Sequence, residues 1–541
     1  MKEKKQSSQK TLIVVLSALI LAVAALTVVS RLRAPETDGI ARSRTDDGRP
    51  IFAHGDYRYA LNADGTCEIL NYTGLDELVS IGAPIDGHAP TAVSADAFRG
   101  AGTIRSLIVE PGVRKIGNGA FADCPLLVSA AFLNDAPDAT LAEPRAPMEF
   151  GNHVFEGCAH LTDVTLPDDL TEIPDGMFRA CASMAGIRIP DTVAYVGADA
   201  FSGCASLADF ALPWNVAALG EGAFSGCASL KTMELPYGET SVSDRLFAGC
   251  ENLETVVLPD TIVYIGEEAF RGCARLRLPN IPSSVADFGA GAFSGCSFEE
   301  FSIPDGVREI SVGMFEGCAN LARVTIPYSV SEIGERAFAN CADMEQIEIP
   351  HSVLFIGDEA FRGCASLREL RLPYSLKTIG TGALADCASL KEMQIPSDIL
   401  MIADELFMNC ANLERVSISE NVTFIGNGAF SGCARLTDMS IPESVTLIGD
   451  AAFQNCAGIT EILLPEGLES LGAYAFAGCG AIAYIKLPEG IDALEEGTFA
   501  NCASLERIDM PGVRSVGAHA LSGCPLLSAI EYEEPEEEGG E

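Results

Sequence analysis

A cysteine recurs every 23 residues through most of this chain. Cys158, Cys181, Cys204, Cys227, Cys250, Cys273 and Cys296 keep that spacing, and after one 22-residue step it resumes from Cys318 to Cys502, with Cys524 following at 22. The surrounding phrase recurs too, as in "SVLFIGDEAFRGCASL" (352–367) and "SVTLIGDAAFQNCAGI" (444–459). Counted at the Ala-Phe position from Phe98 to Leu521, there are 19 copies. A unit this short cannot bury its own apolar side, so it folds only by stacking on its neighbours. The 541 residues therefore read as one long solenoid rather than several globular domains.

One unit, "CASLRELRLPYSLKTIGTGALADC" (364–387), carries the local reading. Leu370 and Leu372 alternate as one face of a short strand, and Pro373 ends it because proline has no N–H for a ladder. Leu376 and Ile379 predict a second short strand, with Gly380 permitting a sharp turn after it. The Ala-Phe-x-Gly-Cys segment predicts one helical turn, closed by a glycine in the left-handed conformation. At ~4.8 Å per strand step, such coils build a curved rod on the order of 90 Å long.

Several units depart from the pattern. Pro279 occupies an inward strand position in "RLRLPNIP", and the next unit, "CSFEEFSIP", is one residue short. A break or bend is expected between Leu276 and Pro304. Cys124 fits the phase once 11 extra residues are allowed within "LNDAPDATLAEPRAPMEFGNH". Ala403 for the turn glycine, Ser419 for the proline, and Leu384 and Leu521 for phenylalanine are changes the fold should tolerate.

The recurring pattern C-A-x-L, strand, I-P-x-S-V-x-x-I-G-x-x-A-F-x-G resembles the BspA-like bacterial leucine-rich repeats, the type also described from Treponema, over about residues 76 to 530. The segment "YRYALNADGTCEILNYTG" is similar to the opening hairpin of such proteins, with "NADG" as its turn. The resemblance implies an α/β repeat solenoid: a leucine-rich-repeat-type rod of parallel strands with short helical turns and an N-terminal hairpin cap. It also implies a surface protein, often an adhesin toward host matrix proteins or other cells.

The amino terminus adds an expected location. Thr11 to Val29 holds no charge and follows Lys2, Lys4, Lys5 and Lys10. That length suits a bilayer-spanning helix, and the preceding lysines place the start in the cytoplasm. The expected organisation is a basic cytoplasmic tail (1–10), a transmembrane anchor or uncleaved signal (11–29), a flexible linker (30–50), a hairpin cap (51–75), the solenoid (76–532) and an acidic disordered tail (533–541). Cleavage after Ser30 is the other reading of the apolar run, and it would release the rest as a secreted protein.

Charge narrows the partners. The chain has 76 acidic and 35 basic side chains, a surface that repels phosphate backbones, so no nucleic acid is expected. Nineteen cysteines in an exported chain suggest disulfides, but one thiol per repeat without a close pair reads as a ladder of small buried hydrophobes. Cys67 stands outside the ladder and is expected to pack in the hairpin cap. "GEGAFSG", "GAGAFSG" and "GNGAFSG" at Gly220, Gly289 and Gly426 mimic a dinucleotide fingerprint, yet all share one phase of the repeat and lack its long helix, so they are turns. His153, Glu156, Cys158 and His160 are the nearest approach to a metal set, but no second cysteine or spaced histidine pair completes it. No nucleophile with a base and orienting group is visible, so neither an enzyme, a cofactor nor a small-molecule substrate is expected.

One pattern points to a partner. The residue after the strand-ending proline is aromatic or histidine in two groups of neighbouring coils, Trp214 with Tyr237, then Tyr328, His351 and Tyr374. Stacking aligns each group as a stripe along the rim of the strand surface. Such rings are enriched at binding hot spots, although packing over a neighbouring proline would equally explain them. The expected function is a membrane-anchored, extracytoplasmic repeat protein that recognises other proteins, in the adhesin manner. The alternative is a spacer or scaffold of the cell envelope with no specific ligand.

Overall fold

The computed structural model describes residues 43–134, 147–208, 210–277 and 281–531. The basic tail, the apolar run 11–29, most of the linker, Pro279, most of the insertion and the acidic tail lie outside the described residues. Among those described, no helix is long and apolar enough to cross a membrane.

The chain winds as a parallel-stranded solenoid of about 19 turns, opened by an antiparallel meander. The meander comprises Ser43–Arg44, Pro50–His54, Tyr57–Leu61 and Cys67–Tyr72, so the cap starts earlier than the expected Ile51. Asn62 and Thr66 close its last turn, where the Asn62 N–H meets the Thr66 carbonyl at 2.9 Å. Cys67–Tyr72 then pairs in parallel with Pro90–Val93 and seals the first coil. Cys67 is buried there, as expected.

Each regular coil has three sides. The first carries a strand of about three residues, such as Glu369–Arg371, with Leu370 inward and both neighbours outward. After the proline comes a two-residue strand, such as Thr378–Ile379, with only Ile379 buried. The third side is the Ala-Phe-x-Gly-Cys segment, and here the expected helical turn is wrong. There is no helix among the described residues, only successive turns. The hydrogen bonds give the reason. The N–H groups of Glu359, Phe361 and Gly363 donate to the carbonyls of Thr381, Ala383 and Ala385 in the next coil, at 2.8, 2.8 and 2.9 Å. The alternate residues Ala360, Arg362 and Cys364 bond back three positions, to Gly357, Glu359 and Phe361, at 3.4, 3.0 and 3.2 Å. An α-helix needs every N–H directed along its own axis. Here half of them stitch one coil to the next. Gly363 does adopt the left-handed backbone (φ 71°), and Asn340 and Asn409 do so at the same place (φ 61° for each), as short amide side chains allow.

The core is a set of ladders running along the rod. Phenylalanine rings stack coil upon coil from Phe98 to Phe361 and again from Phe407 to Phe499, with centroids 5.1 to 6.0 Å apart. Leu384, buried between them, divides the two runs. Beside the rings lies the cysteine ladder, all free thiols. Each Sγ–H is directed at the carbonyl at the Ala-Phe position of the preceding coil, as in Cys364 to Phe338 at 3.2 Å, Cys433 to Phe407 at 3.1 Å and, where leucine replaces phenylalanine, Cys410 to Leu384 at 3.1 Å.

Glycine after the short strand serves a purpose other than the one expected. Gly380 does not take a positive φ. A Cβ placed on it would lie 2.4 Å from the Asp358 backbone nitrogen of the preceding coil. Pro174, Ser243, Ser311, Ala403 and Glu495 stand where other coils have this glycine. At each of these five coils the short-strand ladder stops and a new one begins, whereas every glycine coil from Gly117 onward pairs with its predecessor. Between stacked coils the glycine is thus the condition for close approach, while Ser94, at the same place in the first coil, follows a strand that pairs with the cap. Where it is lost, side chains fill in. Ser243 Oγ–H reaches the Leu219 carbonyl at 2.7 Å, and the buried Glu239 carboxylate accepts the Leu219 N–H at 2.7 Å.

The strand position at Pro279, where a break was expected between Leu276 and Pro304, lies outside the described residues; the short strand of that coil, Asp287–Phe288, pairs with Tyr264–Ile265 but not with Glu309–Ile310. The turn side nevertheless runs through, with Phe293 N–H on the Met314 carbonyl at 3.0 Å. The insertion leaves the coils in register: Ser129–Phe132 pairs with Asp163–Thr165 across it.

Candidate binding surfaces

Outward side chains on the three-residue strands are charged and largely matched. Arg371 pairs with Glu369 at 2.7 Å, Arg507 with Asp509 at 2.7 Å, and Arg368 with Glu345 at 3.5 Å. Arg323 with Glu300 and Arg415 with Glu392 join strands of adjacent coils. Exposed pairs of this kind add little stability. Their effect is to leave this side polar and nearly self-neutralised.

The rim beside it is different. Trp214, Tyr237, Tyr328, His351 and Tyr374 all stand in solvent, the four large rings from 69% exposed at Tyr374 to 85% at Trp214. Packing over a neighbouring proline would have buried them, so that use of the rings is not what the structure shows. Tyr328, His351 and Tyr374 sit on consecutive coils whose short strands pair without interruption, Glu332 to Phe355 to Thr378. Trp214 and Tyr237 straddle a lapse in that ladder, at Ser243. A shallow groove of about 570 Å³, lined by Ile187, Arg188, Phe210 and Pro213 among others, opens beside Trp214.

A second apolar surface escaped the sequence reading. The outward position of the short strands is apolar over neighbouring coils: Phe355, Met401, Phe424 and Leu447, with only Thr378 between. Leu400 lies beside Met401, and the two are 61% and 52% exposed. The signal was present in the residue just before each Ile-Gly pair. It was overlooked because apolar residues are expected inside, and this phase had not been assigned to the outside.

The remaining chemical candidates resolve into structure. His153 Nδ1 faces Glu156 Oε2 at 3.1 Å, whereas Cys158 is turned inward with its Sγ–H on the Phe121 carbonyl at 3.1 Å. His160 is exposed. Among the described residues no three His, Cys, Asp or Glu side chains stand together as a metal set. Burial pushes the thiols up, Cys364 and Cys410 to about 12, so they remain protonated and unreactive at neutral pH. Gly220, Gly289 and Gly426 follow short strands and lead into turns.

The BspA type leucine rich repeat region, as a six-copy family model, matches residues 89–137, 148–277, 240–361, 331–459 and 423–537. No curated protein matches the chain. Among solved structures, a leucine-rich repeat protein from Bacteroides ovatus is similar at 26% identity, covering 64% of this chain and 88% of its own, with a TM-score of 0.56. A leucine rich cell surface protein from Faecalibacterium prausnitzii shares 22% identity over 91% of this chain and 97% of its own, with a TM-score of 0.24. The leucine-rich repeat protein of T. pallidum shares 29% identity over 44% of this chain and 86% of its own, with a TM-score of 0.29.

Proposed function

This chain belongs to the BspA-type leucine-rich repeat family, and from that premise we propose that it recognises other proteins through the exposed rim of its solenoid. The family is one of repeat scaffolds, and no enzymatic family is indicated. The observation that carries the reading is the rim itself. Trp214, Tyr237, Tyr328 and Tyr374 stand at one phase of the repeat and are the most exposed large rings among the described residues. Rigid, amphipathic rings of this kind supply much of the energy at protein interfaces. In the fuller form of the proposal the repeats are held outside the cell by the apolar segment 11–29, and the partner is a matrix or cell-surface protein, as for an adhesin.

The test is binding of the full chain to a panel of purified matrix and cell-surface proteins. Changing Trp214, Tyr237, Tyr328 and Tyr374 together to Ala is expected to weaken capture at least tenfold while the melting temperature stays the same, since none of the four is packed in the core. Unchanged capture would remove the rim as the contact. An intact rod that binds none of the panel at high micromolar concentration would favour a spacer of the envelope instead.

A further inference from the structure

The short-strand side between Phe355 and Leu447 has a chemistry of its own, separate from the rim rings. We propose that it is a docking surface for a basic amphipathic helix of a partner protein. Phe355, Met401, Phe424 and Leu447 form an outward row along the rod, widened by the exposed Leu400. Phe424 pairs in register with both Met401 and Leu447, so these three follow the coil step, and the ladder lapses only between Thr378 and Met401. Phe355, Leu400, Met401 and Leu447 are exposed, and Phe424 is half-buried.

Spacing selects a helix. Coils in a parallel ladder repeat every ~4.8 Å. An extended strand brings a side chain to one face only every ~6.7 Å and falls out of step within two coils. One turn of α-helix advances about 5.4 Å, so a helix along the row offers about one apolar side chain per coil over the length of the patch. Five coils span about 19 Å, which some 13 helical residues cover.

Charge selects a basic one. Glu420, Glu443 and Glu466 occupy the rim of three consecutive coils, four residues before Phe424, Leu447 and Ser470; all three are exposed, and Glu466 is paired with Lys486 at 3.3 Å. Glu309 and Glu332 continue the short-strand row beyond Phe355. Lys377, the one cation set within the row, is already paired with Asp398. A second copy of this chain would bring the same glutamates against one another, and the formal net charge of −41 opposes it. A helix with leucines on one face and lysines on its flank satisfies both the row and the rim.

The probe is an 18-residue amphipathic Leu/Lys peptide with a benzophenone on its apolar face, photo-cross-linked to the full chain and mapped by mass spectrometry. Two control peptides are a scramble that disperses the leucines and a version with every Lys replaced by Glu. Cross-links are expected to cluster between Phe355 and Leu447 for the Leu/Lys peptide alone. They should fall at least tenfold in a Met401→Asp, Phe424→Asp variant, and in a separate Glu420→Lys, Glu443→Lys variant that leaves the apolar row intact. Met401, Glu420 and Glu443 are exposed and Phe424 is half-buried, so an unchanged melting temperature verifies that each variant folds. Equal labelling by the scramble or the Glu peptide, scattered cross-links, or no capture at all would overturn the proposal. So would a dimer in light scattering that the Met401→Asp, Phe424→Asp change dissolves, since that would assign the face to a second copy. The rim variant lacking Trp214, Tyr237, Tyr328 and Tyr374 should capture the peptide normally, which separates failure of this proposal from failure of the rim reading.

Discussion

The cysteine shows how much one side chain does here. Its Sγ–H supplies a second donor to a phenylalanine carbonyl that already accepts a backbone N–H: Phe338 takes both Cys341 N–H at 3.2 Å and Cys364 Sγ–H at 3.2 Å. Alanine would fit but lacks the donor, so Cys364→Ala is expected to cost about 1 kcal/mol in a denaturant melt. Burial also raises the thiols from an ordinary 9.0 to about 12 at Cys204, Cys250, Cys318, Cys364 and Cys410. The folded chain therefore holds protons that the unfolded chain releases above pH 9. Stability is full below that pH and declines as pH rises toward 12, steeply because the upward shift repeats in the coils from Cys158 to Cys524. Circular dichroism across pH 7 to 11.5 should show this loss, and a flat profile would contradict it. At neutral pH a disulfide reagent should leave the ladder untouched, with the partly exposed Cys524 reacting first.

At the level of the coil, the short strand is decided by whether a Cβ follows it. A methyl at Gly357 would meet the Glu335 backbone nitrogen at 2.6 Å. Gly357→Ala should therefore separate two coils locally, at a cost of about 1–3 kcal/mol, and speed amide exchange at Phe355 and Ile356. The converse change, Ala403→Gly, should join Met401–Ile402 to Thr378–Ile379 and slow exchange there. Hydrogen-exchange mass spectrometry reads both, and native protection in the Gly357→Ala variant would show that glycine is not needed for the approach. The same logic explains why the turn side is no helix. Helix-like composition in Ala-Phe-x-Gly-Cys was legible, but the destination of alternate N–H groups in the next coil was not, because it depends on a neighbour 22 residues away.

For the whole molecule, sign of charge and location go together. The chain beyond residue 50 carries 71 acidic and 26 basic side chains, which favours a solvated rod held apart from its copies. If the repeats stand outside the cell, protease added to intact cells should remove a tag at the carboxyl end and leave a short membrane-bound stub. Survival on intact cells with cutting only after lysis would place the rod inside. Period, coil count, inward ladders and parallel stacking were determined by the sequence alone, because a 23-residue unit with one apolar phase has a single way to bury it. The exposure of the rim rings, the apolar row at Phe355 to Leu447 and the lapses at Pro174, Ser243, Ser311, Ala403 and Glu495 were decided only by the tertiary structure. Each depends on what the adjacent coil places against a residue, and sequence periodicity aligns coils without stating how closely they approach.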